Sequence, residues 1–284
     1  MGEPVWLAYP VTEQIHIIDM YSLFKIHYDN GFEFHGEAHN FWECFYVIEG
    51  EVCVSADERV YNLMRGEIIV HKPLEFHKFI VNGTKGATVL IFSFSAEGPM
   101  TGWLRDKVFS LSNSQNQIIK SLLSYMQSKA DMFGLSLKNS YACLTPFDKL
   151  PYYSQMIVTY LYQLFLSLSD EGTISSVSSA PDAVTFSKAI SYLNCNLNRQ
   201  PSVSEIAKFS NVSEASLKRI FDKYAGISVH KYLLKLKIKV AMELLQDGES
   251  VCIVAERLGF NSQSYFSKAF KRETGMNPSD LKQS

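Results

Sequence analysis

Val254-Ala255-Glu256-Arg257-Leu258-Gly259-Phe260-Asn261-Ser262-Gln263-Ser264-Tyr265-Phe266-Ser267-Lys268-Ala269-Phe270-Lys271 is the stretch that decides the fold of the carboxy-terminal third. Val254, Ala255 and Leu258 fall on one side of a short helix, and Tyr265, Phe266, Ala269 and Phe270 on one side of a second. Gly259-Phe260-Asn261 separates them as a turn, and Ser262 is placed to cap the second helix. This is a helix-turn-helix pattern. It occurs a second time upstream, where Ile206-Ala207 is followed by the turn Asn211-Val212-Ser213 and a helix carrying Leu217, Ile220 and Phe221.

Outward from these repeats, Leu233, Leu236, Val240, Ala241, Leu244 and Leu245 predict a longer central helix ending near Asp247-Gly248, and Ala189, Ile190 and Leu193 an earlier one. Ser202 or Ser204 is expected to cap the helix that holds Ile206. Each final helix buries a stripe and leaves a polar face: Ala215, Ser216, Lys218 and Arg219 on the first, Gln263, Ser264, Ser267 and Lys268 on the second. A helix of this width fits the major groove, where Arg and Gln match guanine and adenine edges, so these eight positions are the candidate base readers. Lys271 and Arg272, a turn or more further on, are expected to hold phosphates, together with Ser213 and Ser262 at the helix starts. Charge agrees with this division. Residues 182–284 hold 15 Lys+Arg against 10 Asp+Glu, and residues 1–181 hold 12 against 19, so a basic portion follows an acidic one within a chain of net charge −2.

The front of the chain has another rhythm. Between about Gln14 and Phe94 short apolar runs, Phe45-Tyr46-Val47-Ile48, Val52-Cys53-Val54, Ile68-Ile69-Val70 and Val89-Leu90-Ile91-Phe92, are broken by Gly and Asn and predict an antiparallel barrel or sandwich. Ile118, Leu122, Tyr125 and Met126, then Met156, Tyr160, Leu161, Leu164 and Phe165, predict two helices whose apolar stripes are expected to pair subunits. Ser169 to Pro181 is small, polar and unpatterned, as in a flexible connection. The resulting division is 1–110 barrel, 111–169 helical dimerisation segment, 170–181 linker and 182–284 nucleic-acid-binding domain.

Residues 186–284 resemble the AraC/XylS family of regulators nearly end to end. Besides the stretch quoted first, the resemblance rests on Tyr232-Leu233-Leu234-Lys235-Leu236-Lys237, Ala241-Met242-Glu243-Leu244-Leu245 and Gly275-Met276-Asn277-Pro278-Ser279. It implies two helix-turn-helix units held by the central helix, each placing a recognition helix in successive major-groove segments of double-stranded DNA. Lys235 and Lys237 stand where the family usually has arginine, and Ala215 where a larger reader often sits. His35-Gly36-Glu37-Ala38-His39-Asn40-Phe41-Trp42-Glu43 and Gly66-Glu67-Ile68-Ile69-Val70 with Pro73 and His77 resemble the two motifs of a cupin barrel, the usual sensor in sugar-responsive members. The implied fold is α+β, a cupin-like barrel with two flanking helices before an all-α domain.

Metal-binding cupins commonly use three histidines and a carboxylate; His39, Glu43 and His77 match three of those positions and Glu37 replaces the remaining histidine. Three uses of these residues stay open. They could bind a transition metal, hydrogen-bond an organic effector, a sugar among the candidates, or serve structure alone. The effector site would comprise His35, Glu37, His39, Glu43 and His77, with Trp42, Phe45 or Tyr46 as apolar wall. His71 and Lys72 are read as rim or surface residues. No metal or cofactor is assigned.

The function expected is ligand-controlled DNA binding by a homodimer, with RNA polymerase as a further partner. The alternatives are a regulator whose barrel only pairs subunits and a metal-dependent cupin enzyme. GxSxG, Walker and HExxH motifs are absent, so catalysis is not expected. Cys44, Cys53, Cys143, Cys195 and Cys252 show no CxxC spacing and predict free thiols rather than disulfides or zinc. Met1-Gly2-Glu3 does not open a signal segment and no apolar run is long enough to span a bilayer, so a cytoplasmic protein with no membrane partner is expected.

Overall fold

The computed structural model describes residues 8–82, 84–138, 143–144, 146–168 and 177–283. Nine strands, β1 (His16–Tyr28), β2 (Glu33–Glu37), β3 (Trp42–Glu49), β4 (Glu51–Ala56), β5 (Arg59–Met64), β6 (Glu67–His71), β7 (His77–Val81), β8 (Ala87–Glu97) and β9 (Val108–Ser110), are described. They form two antiparallel sheets, one ordered β1-β8-β3-β6-β9 and the other β2-β7-β4-β5. Phe45 and Val47 from β3, Val52 and Val54 from β4, Phe79 from β7 and Val89 and Ile91 from β8 fill the space between the sheets.

Side chains alternate along a strand, so β3 has a second face. Trp42, Cys44 and Tyr46 point away from the barrel interior, with Phe92 and Phe94 of β8 beside them, and are buried under helices. Burial on both faces explains why these strands read as unbroken apolar runs. The covering helices follow α1 (Pro99–Leu104): α2 (Asn113–Phe133), the short α3 (Pro146–Lys149) and α4 (Pro151–Leu168). A capping box of Ser112 and Gln115 starts α2 and left-handed Gly134 ends it. Ile119, Leu122 and Met126 of α2 and Ile157, Leu161, Leu164 and Phe165 of α4 are almost wholly buried against the outer sheet face and each other. Apart from the exposed Met156, the apolar stripes expected to pair subunits are therefore largely covered by the chain's own sheet and helices.

The carboxy-terminal portion is helical: α5 (Pro181–Asn194), α6 (Val203–Phe209), α7 (Glu214–Ala225), α8 (Val229–Gln246), α9 (Val251–Arg257), α10 (Gln263–Thr274) and a final 3-10 turn (Pro278–Gln283). Helices α6 and α7 form one helix-turn-helix, α9 and α10 the other, and α8 joins them. Each starts on a serine whose hydroxyl accepts a backbone N–H, Ser202, Ser213, Ser228, Ser250 and Ser262 for α6 to α10. Of the two serines offered for α6, Ser202 is the cap. Two cores result, one around Leu217, Phe221 and Tyr232 and one around Leu245, Phe266 and Phe270.

Of the expected connection 170–181, residues 170–176 lie outside the described ones. From Val177 onward the chain is held against β5: Val177 bridges Tyr61, and the Ser178 N–H donates to the Val60 carbonyl at 2.7 Å. The two portions also share a core, because Cys53, Val60 and Phe76 of the barrel pack into the first helix-turn-helix cluster. Among the described residues, no helix is long and apolar enough to cross a membrane.

Candidate functional site

The barrel cluster is assembled from two strand ends and a loop. Glu37 ends β2 and pairs in register with His77 at the start of β7; Glu43 lies on β3; His39 sits in the connection between β2 and β3. One ligand atom from each of Glu37, His39, Glu43 and His77 lies within 4.8 Å of the others. His77 Nε2 is 3.3 Å from Glu43 Oε1 and 3.9 Å from Glu37 Oε1, and His39 Nε2 is 3.7 Å from Glu43 Oε2.

Tautomers make this more than a polar cluster. His39 Nδ1 donates to the Phe41 carbonyl at 3.0 Å and His77 Nδ1 to the Glu75 carbonyl at 3.1 Å. In the neutral rings both Nε2 atoms are then lone-pair acceptors, and both are buried without a hydrogen-bond partner. Lone pairs facing carboxylates call for a cation, whether a proton or a metal. Burial alone would push the Glu43 carboxyl up, but the facing imidazoles hold it well below the usual carboxylate range. Burial likewise opposes charge on His77, and Glu43 outweighs it, so the imidazole titrates above its ordinary value. Two imidazole nitrogens and two carboxylates suit a transition ion such as zinc, manganese or iron, so the donor set fits a metal.

A cavity of about 250 Å³ opens from this cluster, walled by Tyr21, Phe34, Phe41 and Phe79. Phe41 stacks on His39 at 3.8 Å, and Tyr21 on Phe41 at 4.3 Å. These aromatics were not singled out by the sequence, although Phe41 lies inside the quoted motif. Of the residues expected here, Phe45 lines the barrel interior beside Phe79. Trp42 and Tyr46 are not brought to the cluster; they face the helices, and the Tyr46 hydroxyl donates to Asn116 Oδ1 at 2.5 Å. His35 is exposed, and its backbone carbonyl approaches Gly226 at the junction with the helical domain.

His71 corrects the expectation of a rim residue: it is 1% exposed, bonds Glu75 Oε2 at 2.6 Å and stacks on His77 at 4.3 Å. Its register opposite Glu43 puts it in the barrel wall. Burial, with His77 alongside, lowers its pKa. Lys72 is closer to expectation, part exposed and paired with Asp106.

The helical domain places Ala215, Lys218 and Arg219 of α7 and Gln263, Ser264 and Lys268 of α10 on exposed faces, with Ser216 and Ser267 half-buried beside them. Leu217, Ile220 and Phe221, and Phe266, Ala269 and Phe270, occupy the opposite faces. Arg219 is tied to Asp182 of α5 at 3.4 Å, and Lys223 reaches the same carboxylate at 3.8 Å. Lys271 and Arg272 are exposed in the last turn of α10, and Arg272 Nε donates to Glu273 at 3.0 Å.

A cupin domain model matches residues 24–94 and a helix-turn-helix domain model residues 206–284. The HTH-type transcriptional regulator YidL of Escherichia coli (strain K12) is 38% identical over 100 residues, covering 35% of this chain and 34% of YidL. The chain thus spans about a third of that relative's length. The HTH-type transcriptional regulator YfiF of Bacillus subtilis (strain 168) is 23% identical over 278 residues, covering 94% of this chain and 86% of YfiF. A crystal structure of an AraC-type transcriptional regulator from Chromobacterium violaceum, 28% identical, covers 37% of this chain and 94% of its own at a TM-score of 0.35. The chain thus combines a cupin domain with a helix-turn-helix domain of the AraC type, and the relatives it matches are named as HTH-type transcriptional regulators.

Proposed function

We propose that this protein is a sequence-specific DNA-binding regulator whose grip on its operator is set by a small molecule held in the barrel at Glu37, His39, Glu43 and His77. Strand β7 is the observation that carries this. His77 lies against Glu43 and Phe79 walls the barrel cavity, whereas the neighbouring Phe76 and Lys78 face the helical domain. The Phe76 ring meets Tyr232 at 5.8 Å, and Lys78 Nζ donates to the Asp222 carbonyl in the last turn of α7 at 2.8 Å. Ser55 Oγ donates to the Tyr224 carbonyl beside it. A strand that touches the effector on one face and a recognition helix on the other supplies the coupling that control requires.

A metal ion is a second reading of the same site, favoured by the two partnerless Nε2 atoms. The four side chains would hold it, and its effect would pass through the same strand. As partners we infer operator DNA, a second copy of the chain and, at promoters it activates, RNA polymerase; the compartment is the cytoplasm. Exposed Tyr152 and Met156 along α4 are the apolar surface we assign to the second copy.

Selection of bound genomic fragments, followed by a reporter on the recovered site, tests the proposal. Wild-type chain should respond to a metabolite of the neighbouring genes or to a metal salt, and a Glu43→Gln, His77→Gln double variant should still bind the fragment without responding. A double variant that responds like wild type places the sensing site elsewhere.

A further inference from the structure

A second cavity lies within the helical domain, over α8 between the two helix-turn-helix units. Its floor is His230, Lys231 and Lys237 of α8; one wall is Gln200 before α6, and the other is Arg272 and Glu273 of α10. Gly259 keeps the cleft in shape, because a Cβ there would lie 2.1 Å from the Asn198 carbonyl oxygen. The segment before α6 thus packs directly on the turn of the second unit.

Lys237 is the unusual member. The residue is 2% exposed, and its Nζ is buried without a hydrogen-bond partner. The Phe260 ring, 5.3 Å away, is the nearby group that favours its charge. Desolvation accordingly lowers its pKa. An ammonium buried without an anion is costly, and a methionine of similar shape would avoid that cost. The one carboxylate in the cleft, Glu273, is held by Arg272 rather than by Lys237. Lys231, Lys237 and Arg272 therefore present three cations to one already occupied acid.

We propose that this cleft is a phosphate site, which takes the DNA backbone where it passes between the two recognition helices, with Lys237 as its central cation. The proposal rests on the DNA-binding function. It adds to it a contact on the connecting helix, outside both reading faces. A duplex engaging α7 and α10 together has to cross the helix that joins them, and its backbone supplies the anion that Lys237 lacks. The site carries no base information, so it contributes affinity and sets the spacing of the two read segments.

The test uses the full chain, a fluorescently labelled duplex carrying a selected binding site, and a random-sequence duplex, titrated between about 50 and 200 mM salt. Lys237→Met should weaken both duplexes by roughly an order of magnitude. It should lower the salt slope by about 1, the signature of one lost phosphate contact. Its Tm should match or exceed that of wild type, which a merely structural lysine would not show. Lys237→Arg should retain the slope. A Lys231→Met, Arg272→Met variant, altered only at exposed positions, should lower the slope without touching the core. If wild-type chain binds with a steep salt slope and Lys237→Met binds identically, the cleft is not a phosphate site, though DNA binding stands. If wild-type chain binds no duplex at all, both conclusions fall.

Discussion

At the scale of residues, the exposed face of α7 makes an ion pair within its own domain. Asp182 is close to both Arg219 and Lys223, but Arg219 is well exposed, and a surface pair of this kind contributes only about 0–1 kcal/mol. A bidentate contact to guanine contributes about 1–3 kcal/mol of discrimination, more than this pair, so Asp182 would not keep Arg219 from a base edge. Arg219→Ala should cost about 1–3 kcal/mol on the selected site and relax preference at one base position. Asp182→Asn should tighten binding slightly, by less than about 1 kcal/mol, without altering preference. Competition binding against a randomised operator measures both. Uniform weakening by Arg219→Ala, with unchanged preference, would make Arg219 a phosphate clamp.

Among elements, the end of α7 decides how the barrel grips the DNA-binding domain. The helix stops at Gly226 in the left-handed region, φ 64°, where its N–H bonds the Phe221 and Asp222 carbonyls. From the barrel side Lys78 adds a second bond to the Asp222 carbonyl and Ser55 bonds the Tyr224 carbonyl, and a cation at that end also complements the helix dipole. A Cβ on Gly226 would lie 2.7 Å from the His35 carbonyl oxygen. Gly226→Ala should therefore lower stability by about 1–3 kcal/mol through backbone strain and, by forcing β2 away, loosen the junction. Amide hydrogen exchange should rise at both β2 and the last turn of α7. Faster exchange in α7 alone would show that the barrel contact is incidental.

For the whole molecule, the question is which apolar surface remains for a partner. Leu164 is fully buried under α2 and the outer sheet face, so Leu164→Ala should cost about 2–5 kcal/mol and leave assembly unchanged while the chain stays folded. Tyr152 and Met156 lie one helical turn apart on the exposed side of α4. Tyr152→Asp with Met156→Asp should leave thermal stability nearly unchanged and convert a dimer to a monomer in sedimentation. Wild-type chain that already sediments as a monomer at micromolar concentration would rule out this surface as an interface.

Local periodicity determined much of this protein. The double helix-turn-helix, the caps Ser202, Ser213 and Ser262 and the exposed positions on α7 and α10 were legible because helical spacing and turn chemistry are properties of neighbouring residues, whereas Glu43 and His77 were found through the resemblance to cupin motifs. Periodicity shows that a stripe is buried but not what buries it. That is why the stripes of α2 and α4 suggested a second subunit when sheet pairing had already placed Trp42, Phe92 and Phe94 beneath them. The same limit hid His71, whose partners are set by strand register, and Lys78, which reads in sequence as one lysine in a short strand. Only the tertiary structure turned His35 and Trp42 away from the barrel cluster, because the face a strand residue occupies depends on which sheets and helices close around it.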